Sequence, residues 1–143
     1  MEFTFNDGGR KEAGYEGRAG DCTVRGIAIA TNKPYQEVYD SLFEMNRSVN
    51  KNPRKSSPRD GGTKTKTIRK YMKSIGWKWT PTMTIGSGCK VHLKKEELPS
   101  GRLLCRVSRH MVAVIDGVIN DTYDCSRGET RCVYGYYKLE SEG

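Results

Sequence analysis

No apolar run in this 143-residue chain approaches the 18 or so residues that a membrane-spanning helix needs. Hydrophobic residues make up only 35% of the chain and its mean hydropathy is −0.74, which is lean for a globular protein and points to one modest core with solvated stretches around it. The first residues, Met1 to Gly9, hold neither a basic segment nor an apolar one, so no secretory leader is read and a cytoplasmic location is expected. Histidine is scarce, with two in the chain, so any imidazole chemistry has little choice of residue. No Walker pattern or G-x-G-x-x-G follows a strand-like run, which removes the usual nucleotide and flavin readings; no cofactor is expected.

Acidic residues are missing from one stretch in particular. Between Arg47 and Lys73 lie ten lysines and arginines against Asp60 alone, a local charge of +9 in a chain whose net charge is +8. Residues 46 to 65 hold almost nothing apolar except Val49, and no aromatic that could stack on a base. They are read as a basic, flexible loop able to attract an acidic protein or nucleic acid.

Around that loop the periodicity changes once. Phe3-Thr4-Phe5 suggests a short strand. Asp21 is placed as the N-cap of a first helix, its carboxylate expected on a first-turn N–H. Val24, Ile27, Ala28 and Thr31 follow at helical spacing, with Arg25 as the helix's only charge and Asn32 as its stop. That helix is apolar nearly all round and is expected to be central. A second helix runs from Pro34 to about Met45 on a stripe of Val38, Leu42 and Met45. A third begins at Thr65, carries Ile68, Tyr71, Met72 and Ile75, and stops at Gly76.

From Trp77 onward the period is two. Strands are read at Trp77–Pro81, Leu103–Val107, His110–Ile115, Val118–Tyr123 and Arg131–Leu139, with Asp116-Gly117 as the turn of a tight hairpin. Helices first and antiparallel strands afterwards give an α+β class, the helices packed on one side of an antiparallel sheet, in a single domain over 1–143.

The chemistry comes from combining two of these elements. Cys22 sits at a helix start, where the dipole and unpaired N–H groups favour a thiolate and can hold an oxyanion. In the hairpin a two-residue loop pairs Ile115 with Val118 and Val114 with Ile119. That puts His110 and Asp121 on one face, with Asp121 diagonal to His110 and Tyr123 opposite it. A buried carboxylate beside an imidazole fixes its tautomer and supports its protonated form. Cysteine, histidine and acid together are the set of a nucleophilic acyl-transfer site.

Gly20-Asp21-Cys22 leading into the apolar helix, together with Arg109 to Asp121, resembles the papain-like cysteine peptidases, in particular their bacteriocin-processing, C39-like branch. The same segments are similar to small proteins of bacteria and bacteriophages. The resemblance implies a papain-like fold and a thiol protease or related hydrolase acting on a peptide, isopeptide or other amide. Cys22 would be the nucleophile, His110 the base and then acid, and Asp121 the orienting residue of a catalytic triad. The family's oxyanion-hole glutamine falls on Glu16, and an ionised carboxylate accepts hydrogen bonds but does not donate them. Glu16 and Arg18 therefore mark the expected oxyanion-hole region, with Arg18, another upstream group or a backbone N–H as the donor. Two alternatives stand beside the hydrolase: a weak or inactive papain-like binding module, and a binder of nucleic acid or acidic partners through residues 47–73.

The other cysteines are expected as thiols in a reducing compartment. Cys89, His92, Cys125 and Cys132 do not match a common zinc spacing, so no metal is assigned, and Cys105 is read as core. Trp77 and Trp79 are expected in the core or the cleft wall.

Overall fold

A computed structural model describes residues 1–15, 21–49, 58, 64–84 and 86–140 of the chain. Glu16 and Arg18, and most of the basic stretch, lie outside the described residues.

Three helices and six strands occur among the described residues: β1 (Glu2–Phe5), α1 (Cys22–Thr31), α2 (Tyr35–Val49), α3 (Thr65–Ser74), β2 (Trp77–Pro81), β3 (Arg102–Val107), β4 (His110–Ile115), β5 (Val118–Asp121) and β6 (Gly135–Leu139). The strands form one sheet in the order β1-β5-β4-β3-β6-β2. The class is α+β. The sheet is mixed rather than antiparallel, because β1 lies parallel to β5 at one edge. Alternation marks Phe3–Phe5 as extended but carries no information on its partner, which here is a strand more than a hundred residues away.

The two sheet faces bury different cores. Leu104, Met111, Ala113 and Tyr137 face the helices and pack with Val24 and Ile27 of α1, Val38 and Leu42 of α2, and Ile68 and Met72 of α3. Leu103, Cys105, Val107, Val112, Val114 and Ile119 face the other way, under Leu93, Cys125 and Val133 from the long connections. Trp77 belongs to the helix-side core, and Cys105 is fully buried as expected. Gly135 admits the Trp79 ring: a Cβ built there would fall 2.3 Å from the indole and 2.9 Å from the Thr80 carbonyl oxygen.

Several boundaries differ from the sequence reading. Helix α2 continues to Val49, since Asn46 is buried in its last turns, so the basic segment begins later than residue 46. The last strand starts at Gly135 instead of Arg131. The residues before it pair with the 91–93 segment, through the His92–Cys132 bridge and the Val133 N–H on the Val91 carbonyl. Strand β5 stops at Asp121 instead of Tyr123, where the Asp121 carboxylate accepts the Thr122 N–H at 2.7 Å. The hairpin itself has the expected register, Ile115 with Val118 and Val114 with Ile119, and both turn residues take the positive φ that this turn requires, 48° at Asp116 and 78° at Gly117.

Cys89 and Cys132 are joined in a disulfide, against the expectation of five thiols; Cys22, Cys105 and Cys125 remain free. Their joining follows from the bridge between the 91–93 and 131–133 segments, which brings together residues 43 apart in sequence.

Candidate active site

Helix α1 lies against β4, which sets its first residue beside the first residue of that strand. Cys22 and His110 meet there on the wall of one hollow, close enough for the imidazole to act on the thiol. On the other side of the ring, His110 Nε2 donates to Asp121 Oδ2 at 2.7 Å. With Nε2 engaged, Nδ1 is the nitrogen left for a thiol. The three residues named from the sequence therefore converge. Tyr123 also falls beside the imidazole, ring centres 5.5 Å apart, although the ladder ends before it.

Behind this set runs a buried chain of charges. Asp21 is fully buried and does not cap α1. Its carboxylate accepts from Arg10 Nε at 3.1 Å, from Arg25 Nε at 3.0 Å and from the Tyr35 hydroxyl. Two charge-assisted bonds to guanidinium groups outweigh one bond to a backbone N–H, which is why the expected cap does not form. Arg25 then reaches across with Nη1 to Asp121 Oδ1 at 3.1 Å and to Thr122 Oγ1 at 2.8 Å. The order is Arg10, Asp21, Arg25, Asp121, His110, Cys22. Cations and anions alternate, so the carboxylate that holds the imidazole is itself held and neutralised inside the protein.

The protonation states follow from these neighbours. Burial lowers the His110 pKa, but the hydrogen bond to Asp121, then those to Cys125 and Cys22, push it up to about 11. Burial raises the Cys22 pKa; the hydrogen bond and charge of His110 outweigh it, helped by the Met111 N–H and Arg25, and the thiol ends below its ordinary range. For Asp121, burial is again the largest influence and acts upward, and His110, the Thr122 N–H and Arg25 together bring it below the usual carboxylate value. Both shifts act in the direction of a thiolate–imidazolium pair at the N-terminus of α1.

The pair opens onto a hollow of about 280 Å³ lined by Thr23, Thr65, Arg106 and Arg109 among others. Asp21 leaves the first-turn N–H groups of α1 uncapped, and such groups have no partner within their own helix.

Sequence reasoning missed four members. Arg25 was noticed only as the single charge on an apolar helix; its i,i+4 spacing from Asp21 was the available signal, because a buried charge needs a partner. Arg10 and Tyr35 gave no local sign. Cys125 is buried with its sulfur close to both His110 and Asp121, and nothing in its spacing pointed there. The loose set Cys89, His92, Cys125 and Cys132 does not assemble: two form the disulfide, His92 bonds Glu97 at 3.2 Å, and Cys125 faces His110. No helix among the described residues is long and apolar enough to cross a membrane.

Comparison of the chain with protein-family models, with curated proteins and with solved structures finds no match.

Proposed function

We propose that this protein is a thiol hydrolase of papain-like type that cleaves a peptide, isopeptide or related amide through a thioester intermediate. The observation that carries this reading is the imidazole held at 2.7 Å by Asp121, with a helix-start cysteine beside it on the wall of the same hollow. A core histidine needs a partner for its polar atoms; it does not need one that favours its cation while its other side favours a neighbouring thiolate. That double arrangement is what nucleophilic catalysis at cysteine requires.

In this mechanism the Cys22 thiolate attacks the substrate carbonyl carbon, forming a C–S bond as the carbonyl electron pair moves to oxygen. The Cys22 backbone N–H, uncapped at the start of α1, takes a share of that charge. Imidazolium His110 gives its proton to the leaving nitrogen as the C–N bond breaks. Neutral His110 then takes a proton from water, hydroxide attacks the thioester, and the sulfur departs as thiolate. Asp121 keeps Nδ1 aimed at sulfur and stabilises each imidazolium.

The deciding experiment is alkylation with iodoacetamide near neutral pH, read site by site by mass spectrometry. Cys22 should be labelled well ahead of Cys105 and Cys125, and the lead should vanish in His110→Ala. Equal, slow labelling of the three free thiols would overturn the proposal.

A further inference from the structure

The hollow at Cys22 does not end there. A second depression, of about 240 Å³, continues from it, and the two share Thr65, Ile68, Arg106 and Met111. The far part is walled by aromatic rings. Trp79 and Tyr137 pack at 4.9 Å between centres, and Tyr134 is exposed at the rim. Three arginines line the combined cleft: Arg109 beside His110, Arg106 where the two depressions join, and Arg69 in the far part.

No acidic side chain lines either depression among the described residues. Arg106 donates to the Thr65 hydroxyl at 2.6 Å, and Arg69 sits beside Tyr137 in the far part of the cleft. Those neutral partners orient the two guanidinium groups without cancelling their charge. The contrast with Arg10 and Arg25, both spent on a buried carboxylate, is complete. Oriented cations in a cleft, beside aromatic faces, select a ligand that brings its own anion and an apolar group.

We infer that the cleft takes an anionic substrate, a peptide-like amide with a carboxylate and an aromatic or other large apolar side chain next to the scissile carbonyl, recognised by Arg106 and Arg69 against the Trp79–Tyr137 wall. This rests on the thiol-hydrolase reading for the position of the scissile bond, whereas the anion site itself stands on the arginines and the aromatic wall. The carboxylate has two sources, a chain terminus or an acidic side chain.

The test uses chloroacetyl compounds, which alkylate a thiolate as the S–C bond forms and chloride leaves. N-chloroacetyl-phenylalanine presents a terminal carboxylate, N-chloroacetyl-glutamic α-amide a side-chain carboxylate, and N-chloroacetyl-phenylalaninamide neither. At low ionic strength one or both acids should modify Cys22 several-fold faster than the amide, and the faster acid names the source. The advantage should shrink as salt shortens the Debye length from roughly 30 Å at 0.01 M toward 3 Å at 1 M. It should persist in Arg106→Lys, collapse in the Arg106→Gln/Arg69→Gln double variant and reverse in Arg106→Glu. Equal rates for acid and amide, or an advantage that survives the double glutamine variant, would overturn the inference. A separate arm needs no reactive thiol: in Cys22→Ser protein, N-acetylphenylalanine should shift the Trp79 indole N–H resonance at lower concentration than N-acetylphenylalaninamide. An unreactive Cys22 with that preference intact would sink the hydrolase and keep the anion site; a reactive Cys22 with no preference would do the opposite.

Discussion

Arg25 and Asp121 meet at 3.1 Å inside the protein, although they stand 96 residues apart and only one belongs to the proposed triad. The same guanidinium uses Nε on Asp21 at 3.0 Å, so one side chain joins the start of α1 to the end of β5. That junction fixes the distance between the cysteine and the acid whose histidine it must reach. Arg25→Met would leave two buried carboxylates short of a cation, a change that costs about 3–5 kcal/mol where a buried pair is broken. Urea unfolding should show a lower midpoint at unchanged slope. Arg25→Lys keeps the charge but offers one ammonium in place of a fork, so it should recover only part of the loss. In the Arg25→Met/Asp121→Asn double variant the two effects should sum to less than their separate values, because the second change removes a charge the first left unpaired. Additive losses would mean the two residues do not act together.

The pH dependence of Cys22 alkylation follows from its lowered pKa. Its thiolate should persist below the range of an ordinary thiol, so the rate should already be on its plateau where a free cysteine is still gaining. His110→Ala removes both the hydrogen bond and the charge that act against burial; the midpoint should then rise to or above the ordinary thiol value, and the neutral-pH rate should fall by more than tenfold, in the spirit of general acid–base and nucleophile activation effects of about 10²–10⁴. Unchanged midpoints in the two proteins would show that the imidazole does not govern the thiol.

The helix and hairpin periods were legible because they are local. Val24, Ile27 and Ala28 at helical spacing fixed α1, and Asp116-Gly117 fixed a hairpin whose register then placed Asp121 near His110. A register is a strong inference, since a slip by one residue would turn every side chain to the other face. What the sequence could not carry were pairings made only by tertiary approach: β1 beside β5, Cys89 with Cys132, and Arg10 on Asp21. Asp21 illustrates the limit. Its residue type and position are those of an N-cap, yet the side chain turns to two cations that arrive from different parts of the fold. Cys125 is the converse case, a residue without any local signature that the β5–β6 connection delivers to the imidazole.

The disulfide predicts a thiol count. In denaturant without reductant, Ellman's reagent should find three free thiols rather than the five of the fully reduced chain. Closing a loop of 43 residues stabilises by about 4 kcal/mol in the chain-entropy picture, an upper figure for a native link. The Cys89→Ser/Cys132→Ser double variant should therefore unfold at distinctly lower urea. Reductant should lower the wild-type midpoint toward the variant's and leave the variant where it is. Five thiols in the unreduced protein, or a wild-type midpoint indifferent to reductant, would exclude the link.

Acid should act on the fold through Asp121. Its folded pKa lies below the ordinary carboxyl value of 3.8, so its pairing contributes stability that is fully present above about that pH and is lost as pH falls through the lower folded value. His110, with its pKa raised, works in the opposite sense: its contribution is fully present below about pH 6.5 and fades only as pH climbs toward its folded value of about 11. Between about pH 3.8 and pH 6.5 both contributions are complete, so the plateau lies in the mildly acidic range and stability declines gradually above it. In Asp121→Asn the acid-side loss should flatten, because no carboxylate remains to be protonated there, while the imidazole loses the anion that raised its pKa. Its alkaline edge should accordingly move to lower pH. Stability measured by urea midpoint from pH 3 to pH 10 should show both shifts in the variant. A wild-type profile matching the variant's at the acid end would mean that Asp121 is not the charged partner of His110 in the folded protein.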